Sequence, residues 1–304
     1  MTRTDQKDFA STMTTKVSTI IVSYNRLELL HRAIKSALGQ TLDGCEVIVA
    51  DNCSSFDVHK ELAGYGDAIR VIRTERNGGC GYARNVAVRE ARGEFVAFLD
   101  DDDYWKPEKL ERQFATIGKR PMTTCGQEFI PETAFNVQPI TSITRRMISQ
   151  YNSVCGPSGF FCRRDLFDKV QFDESLKYAE DWDFMLRVLN VGEIGYVAEP
   201  LLYYTFNAPS SMTSSGRGKS WEEIQYRFAA ADKHRAEMGE WNYRQRIAAI
   251  TLAHILDRPD RMTFIRHSLR KAGFTATGIA LAKKAAGKLM PRPAQASRDG
   301  VAAG

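Results

Sequence analysis

Several features are missing from this 304-residue chain, and each absence narrows what it can be. Its six cysteines (Cys45, Cys53, Cys80, Cys125, Cys155 and Cys162) form no C-x-x-C pair. A chain this long has no need of disulfide staples, so the cysteines fit a reduced, cytoplasmic setting better than a disulfide framework. No apolar run approaches the ~20 residues of a membrane span. Residues 1–16 are polar and rich in Thr and Ser, with no apolar stretch of the kind a secretory signal needs, and read as a flexible leader. No G-K-[ST] follows a glycine loop, and Gly78-Gly79-Cys80-Gly81 does not match G-x-G-x-x-G, so neither a P-loop nor a dinucleotide fingerprint is offered. The formal charge of +5 is too small to imply a nucleic-acid partner. That charge is also unevenly placed. From Arg261 onward nine Lys/Arg stand against Asp299 alone, a surplus of +8 that leaves −3 for the rest of the chain.

What is present is an alternation of β-rich and helix-periodic segments. Strands are predicted over 17–23, 46–50, 69–73 and 94–99, from their Val, Ile and Phe content and the polar residues that bound them. Helices are predicted over 26–38, with Leu27, Leu30, Ile34 and Leu38 at helical spacing, and over 82–91. Asp57 is placed to cap a short helix running towards Gly64. Such an order calls for crossovers onto a mainly parallel sheet, with ligands beyond the carboxyl ends of its strands. Three polar clusters fall at those ends: Ser23-Tyr24-Asn25, Asp51-Asn52 and the acidic run Asp100-Asp101-Asp102-Asp103. The glycines before 82–91 lie at a helix N-terminus, which favours an anion; a tight turn explains them equally well. Arg84 is a candidate phosphate or carboxylate partner.

The acidic run is the organising feature. Four adjacent carboxylates repel one another, and burial raises the cost of ionising them. A divalent cation relieves that cost, and hard oxygen ligands suit Mg²⁺ or Mn²⁺. If the strand over 94–99 continues, alternation turns Asp100 and Asp102 one way and Asp101 and Asp103 the other. The competing reading is a solvated acidic turn.

Ile20-Ile21-Val22-Ser23-Tyr24-Asn25-Arg26, Val49-Ala50-Asp51-Asn52-Cys53-Ser54, Ala83-Arg84-Asn85 and Phe98-Leu99-Asp100-Asp101-Asp102-Asp103-Tyr104-Trp105-Lys106-Pro107 resemble, in order, the signature segments of family 2 glycosyltransferases. The resemblance runs from about Val17 to Thr213. It implies a GT-A (Rossmann-like) α/β fold, a mixed, mainly parallel sheet flanked by helices. It also implies transfer of a sugar from a nucleotide-activated donor, UDP-linked by preference, with inversion. By position, Asp51 or Asn52 would read the base and ribose, and Ser23, Tyr24 and Asn25 would flank the nucleotide. Asp100 and Asp102 would be the D-x-D pair, Asp102 the direct metal ligand and Asp100 a ribose or metal contact. Asp101 would stand close by the donor or be solvated. Many members have two acids at 51–52 and Tyr-Arg-x-His where this chain has Tyr204-Thr205-Phe206-Asn207. These departures leave the base identity and the metal dependence open.

In the second half, Trp182, Met185, Leu186 and Leu189 at helical spacing put Glu180 and Asp181 in a first turn, where the macrodipole favours anions. The segment resembles the family's Glu-Asp motif, which makes Asp181 the general base and Glu180 its orienting partner, with Asp183 structural. Ser210 to Gly216 reads as a loop able to close over the donor, or as a linker. The domains expected are therefore a catalytic region over 17–213, with a nucleotide-sugar half (17–120) and an acceptor half (121–213), then a helical extension over 214–304. Within that extension, helices are predicted over 221–239, 243–256 and 274–290. A helical wheel of the last puts Lys283, Lys284 and Lys288 on one side. Such a helix suits an anionic membrane surface or, equally, docks on the catalytic region with its lysines outward. The implied partners are a nucleotide-sugar and a glycan or lipid-linked acceptor at the inner face of the cell membrane. The rival readings are a sugar nucleotidyltransferase and a non-catalytic sugar-binding scaffold.

Overall fold

Strand β1 (Val17–Ser23) is buried along its whole length, as an apolar strand flanked on both edges and covered on both faces must be. It runs parallel to β2 (Cys45–Asp51), which is followed outward by β3 (Arg70–Arg73), and on its other side to β4 (Phe95–Asp100). The computed structural model describes residues 15–131, 133–205 and 218–289. Helices α1 (Leu27–Leu38), the short α2 (Val58–Glu61) and α3 (Gly79–Glu90) make the crossovers. Asp57 caps α2 as expected, its Oδ1 accepting from Lys60 N. Helix α3 begins three residues earlier than the pattern predicts, because the glycines themselves form its first turn.

Beyond β4 the sheet continues through further strands of unequal length. These are β5 (Tyr104–Trp105), β6 (Met122–Ile130), β7 (Ala134–Asn136), β8 (Ser142–Ile143), β9 (Phe161–Arg163) and β10 (Ile194–Thr205). The order is β3-β2-β1-β4-β9-β6-β10-β5, with β7 beside β6 and β8 beside β10. Pairing is parallel within β3-β2-β1-β4 and between β6 and β10, and antiparallel elsewhere. The sheet is thus mixed, and helices α4 (Lys109–Ile117) and α5 (Glu180–Val188) complete the region. Strand β6 carries a weak sequence signal. Its interior holds Thr123, Thr124, Gln127 and Glu128, all buried, and Gly126, where a Cβ would stand 2.8 Å from the Glu199 carbonyl oxygen.

Aromatic packing joins the two halves. Phe98 of β4 meets Phe172 edge-on at 5.4 Å, and Phe172 stacks on Phe184 of α5 at 4.3 Å. Contacts of this type contribute about 0.5–1.5 kcal/mol each beyond their burial. They fix the helix that carries Glu180 and Asp181 against the strand that ends in the aspartates.

The single helix predicted over 221–239 is broken. It becomes α6 (Trp221–Gln225), a 3-10 turn (Tyr226–Phe228), α7 (Ala229–Lys233) and α8 (Arg235–Met238). The breaks fall where Phe228 packs against Trp221 and where His234 reaches into the core; tertiary contacts outweigh local propensity there. Next come α9 (Glu240–Thr251), α10 (Arg261–Ala272), which the pattern did not reveal, and α11 (Phe274–Leu289). Helix α11 lies on α9 and α10 through Ala276 and Thr277, and Lys284 donates to the Ala253 carbonyl oxygen (2.8 Å). Phe274, the first residue of α11, is 84% exposed. Asn207, the 210–216 loop and the Lys288 side chain lie outside the described residues. No helix among those described is long and apolar enough to cross a membrane.

Candidate active site

The carboxyl ends of β1, β2 and β4 open on one cavity of about 610 Å³. Of the residues singled out from sequence, Ser23, Tyr24, Asn52, Arg84, Asp100, Asp102, Glu180 and Asp181 line it. Asn25, Asp51 and Asp101 are not among the lining residues. The reason is visible in each case. Asn25 has a positive φ of 56° and uses its Oδ1 to accept from Ser55 N at 2.7 Å. Asp51 is fully buried, accepting from Ser54 N and facing Arg73 Nη1 at 3.1 Å. Asn52 beside it accepts from Gly78 N and donates to Asn77 Oδ1, which joins the end of β2 to the glycine turn. Tyr24 is 45% exposed, free to meet a planar ring.

The acidic run is a turn and not a continuing strand. Asp103 N donates to the Asp100 carbonyl oxygen (3.1 Å), closing a four-residue turn. Strand alternation therefore does not govern these side chains. Asp100 and Asp102 nonetheless both face the cavity, joined there by Asp103, while Asp101 turns inward. Arg26 holds the run from outside, with Nη2 2.5 Å from Asp101 Oδ1 and Nη1 donating to Asp102 Oδ2 at 2.7 Å. Ser158 holds it from beneath, accepting from Asp100 N and donating to Asp103 Oδ2 (2.6 Å). Its carbonyl accepts from the buried Trp105 indole. Burial lifts the Asp101 carboxyl to about 7 against the pull of Arg26. Burial, then the Asp100 charge, lifts Asp102; burial above all lifts Asp103 well past the carboxylate range.

Arg84 joins the two acidic clusters. Only 2% exposed, it donates from Nη2 to Asp100 Oδ1 (2.6 Å) and from Nη1 to Glu180 Oε1 (3.0 Å). Burial works against its charge, but Asp100 and Glu180 outweigh that and hold the guanidinium above its ordinary value. Arg84 reaches Glu180 because Gly81, one turn earlier on α3, packs at the foot of α5. A Cβ on Gly81 would stand 3.3 Å from Phe172 Cβ. Burial raises the Glu180 carboxyl, opposed by Arg84 and reinforced by the Asp181 charge. Asp181 Oδ2 accepts from Asn152 Nδ2 at 2.8 Å. Asn152 is fixed in turn, donating to the Cys155 carbonyl and accepting from Val154 N.

Asp183 is structural, as expected. Its Oδ2 accepts from Arg187 Nε and Nη2, and its Oδ1 lies 2.7 Å from His234 Nε2 and 2.8 Å from Lys233 Nζ. These contacts hold the carboxyl below the usual carboxylate range despite its burial. They also anchor α7 to α5 and bring the C-terminal helices against the cavity, where Arg227, Arg246 and Arg258 join its lining. The sequence reading assigned that wall no role. It also overlooked Asn152 and Ser158, which sit in irregular segments without periodicity.

The residues present suit a divalent cation. Asp100 and Asp102 bring two carboxylates to one cavity wall, and Mg²⁺ or Mn²⁺ is commonly held by one or two carboxylates plus substrate phosphates and water. Among the described residues there is no cluster of three or more His, Cys, Asp or Glu that would form a complete protein cage.

The family model described as glycosyl transferase family 2 matches residues 18–171. The chain belongs to glycosyl transferase family 2. A relative in Haemophilus influenzae, an uncharacterised glycosyltransferase, is 31% identical over 221 residues, covering 69% of this chain and 75% of its own. Among solved structures, S. aureus TarS 1-349 in complex with UDP-GlcNAc aligns with a TM-score of 0.61 at 20% identity, covering 89% of this chain and 92% of that one. The mannosyltransferase PcManGT from Pyrobaculum calidifontis, in complex with GDP-Man and Mn²⁺, aligns at 0.57 and 16% identity, covering 90% and 81%. These likenesses establish the GT-A fold. In this family 2 chain the matched segment ends before Glu180 and Asp181, so that end of the cavity must be read from its own geometry.

Proposed function

We propose that this chain is an inverting glycosyltransferase that moves a sugar from a nucleotide-diphospho-sugar, UDP-linked by preference, to a hydroxyl of a glycan or lipid-linked acceptor. The observation that carries the reading is the Arg84 bridge, which fixes Asp100 at the donor end and Glu180, beside Asp181, within one cavity. The donor's nucleoside would lie over Tyr24 and Asn52, with its diphosphate towards Asp100 and Asp102. Mg²⁺ or Mn²⁺, held by Asp102 and Asp100, would offset the charge that builds on the departing diphosphate.

Asp181 acts as the general base. Asn152 occupies Oδ2, which orients the carboxylate and leaves Oδ1 to take the acceptor hydroxyl's proton. The acceptor oxygen bonds to the anomeric carbon as the bond from that carbon to the β-phosphate oxygen breaks, and the electron pair leaves with the nucleoside diphosphate. Glu180, tied to Arg84, positions the turn. The bound complexes of TarS and PcManGT support a nucleotide-sugar donor but do not choose the sugar. A site on the inner face of the cell membrane, reached through the basic α11, belongs to the same proposal.

The test is release of UDP from UDP-GlcNAc with Mn²⁺, water standing in for the acceptor. Asp181→Asn is expected to bind UDP-GlcNAc as the wild type does and to lose about 10²–10⁴-fold in turnover. Unchanged turnover would remove Asp181 from the role of base. Release of pyrophosphate instead of UDP would point to a nucleotidyltransferase.

A further inference from the structure

The cavity is divided electrostatically. The side formed by the sheet and α5 presents Asp100, Asp102, Asp103, Glu180 and Asp181, while the wall from the C-terminal helices presents Arg227, Arg246, Arg258 and His254 and, among the described residues, no carboxylate. The guanidinium groups on the sheet side are matched: Arg84 and Arg26 each face two carboxylates. On the helical wall Arg258 is also matched, with Nε and Nη2 both 2.9 Å from Asp260 oxygens.

Arg246 of α9 differs from these. Its guanidinium lies over the Trp182 ring at 4.3 Å, and Nη1 donates to the Gln150 carbonyl oxygen (2.5 Å), a neutral acceptor. Its Nε is buried with no hydrogen-bond partner among the described residues. Burial lowers this arginine to about 10, with the Asp181 charge opposing. A cation drawn out of water without a hydrogen-bonded carboxylate is costly to hold, and a stacked, planar guanidinium suits the recognition of oxyanions. Its position decides whose oxyanion that is. The indole beneath it belongs to the residue after the candidate base, at the opposite end of Arg84's span from Asp100.

We propose that Arg246 forms an oxyanion subsite for the acceptor, so that the acceptor carries a phosphate or carboxylate near the hydroxyl that Asp181 deprotonates. This assignment rests on the glycosyltransferase reading for the identity of the second substrate. The cationic wall would draw such an acceptor in and register its hydroxyl against the base. The donor's diphosphate is served at the other end, by Asp100, Asp102 and the cation they would hold.

The experiment titrates glycerol 3-phosphate, glycerate and uncharged glycerol into the full chain with UDP and Mg²⁺ saturating, followed by ligand-observed NMR. At least one charged probe is expected to bind roughly tenfold or more tightly than glycerol. Arg246→Gln is expected to abolish that preference with UDP affinity kept, and Arg246→Lys to retain part of it. Charged probes that bind the wild type no better than glycerol overturn the proposal, and that comparison holds even if Arg246→Gln does not fold. Parallel loss of UDP affinity in the variant also overturns it, by assigning the arginine to the donor. If the wild type binds no UDP, the donor reading fails separately. The probes titrated without UDP then decide the arginine by the same criteria.

Discussion

Replacing Arg84 by methionine keeps most of its volume and removes the cation that bridges Asp100 and Glu180. Taking one member from a buried ion pair costs roughly 3–5 kcal/mol, because the partner is left charged and unpaired. Here two carboxylates are stranded, Glu180 at 13% side-chain exposure and Asp100 at 29%. Water reaching Asp100 places the loss at the lower end, about 3 kcal/mol. That corresponds to a fall in Tm of roughly 5 °C for a chain of this length, read by circular dichroism and confirmed by guanidinium unfolding. The deficit also has a pH signature. Glu180 already titrates above its ordinary value because of burial, and without Arg84 it rises further. A carboxyl whose folded-state pKa exceeds the unfolded one is penalised only when ionised. The penalty is therefore absent below the ordinary carboxylate range and grows as pH rises through the elevated value. The gap between Arg84→Met and wild type is expected to be widest at pH 7 and to shrink towards pH 4. Adding Glu180→Gln to Arg84→Met removes one stranded charge and is expected to restore more than half of the lost stability. A single variant within 1 kcal/mol of wild type, taking about 1 kcal/mol as the ceiling for an exposed pair, would refute the bridge. So would a double variant no better than the single.

Two further outcomes follow from the same geometry. Asp102→Ala is expected to erase the gain in UDP affinity that Mn²⁺ gives the wild type, by isothermal titration with and without the ion; an equal gain in the variant would take Asp102 out of metal binding. Asp183→Asn, buried and outside the cavity lining, is expected to cost about 3 kcal/mol at pH 7, since its carboxylate meets Arg187, Lys233 and His234. Because its folded-state pKa is depressed, that contribution is present above the ordinary carboxylate range and lost as pH falls below it, so a gap equally wide at pH 7 and pH 3 in guanidinium unfolding would count against it.

Much of residues 17–120 was legible because the signals there are local. Val17–Ser23, Cys45–Asp51 and Phe95–Asp100 are apolar runs with polar ends, and Leu27–Leu38 has a clean helical period, so elements and order could be read within a residue or two. Residues 121–213 were less legible because their order is tertiary. Strand β6 hides polar side chains behind β9 and β10, and β5 and β8 are too short to carry a period. The pairing of Asp100 with Asp102 was anticipated from alternation along a strand, yet a turn produces it, with Ser158 holding that turn through the Asp103 carboxylate from 55 residues away in sequence. No spacing rule reports such a contact. The same holds for Asn152 on Asp181 and for Arg246 on Trp182. Each partner is a common polar residue in an unremarkable stretch, and only the fold gives it a role.

The distribution of those contacts accounts for how the site divides its work. Residues that would meet the donor lie at strand ends or on the helix after β3, within the segment that matches the family model. Their placement follows from crossover geometry, which fixes where strand ends converge. The residues that would meet the acceptor are held by side-chain links across the chain: Arg84 to Glu180, Asn152 to Asp181, and Asp183 to His234 and Lys233. The last of these seats the helices that carry Arg246. Changes in the C-terminal helices can therefore alter the acceptor end of the cavity while the Arg84–Asp100 pair and the aspartate turn remain as they are. Acceptor choice, on this reading, resides in α9 and its neighbours, and donor binding in the sheet.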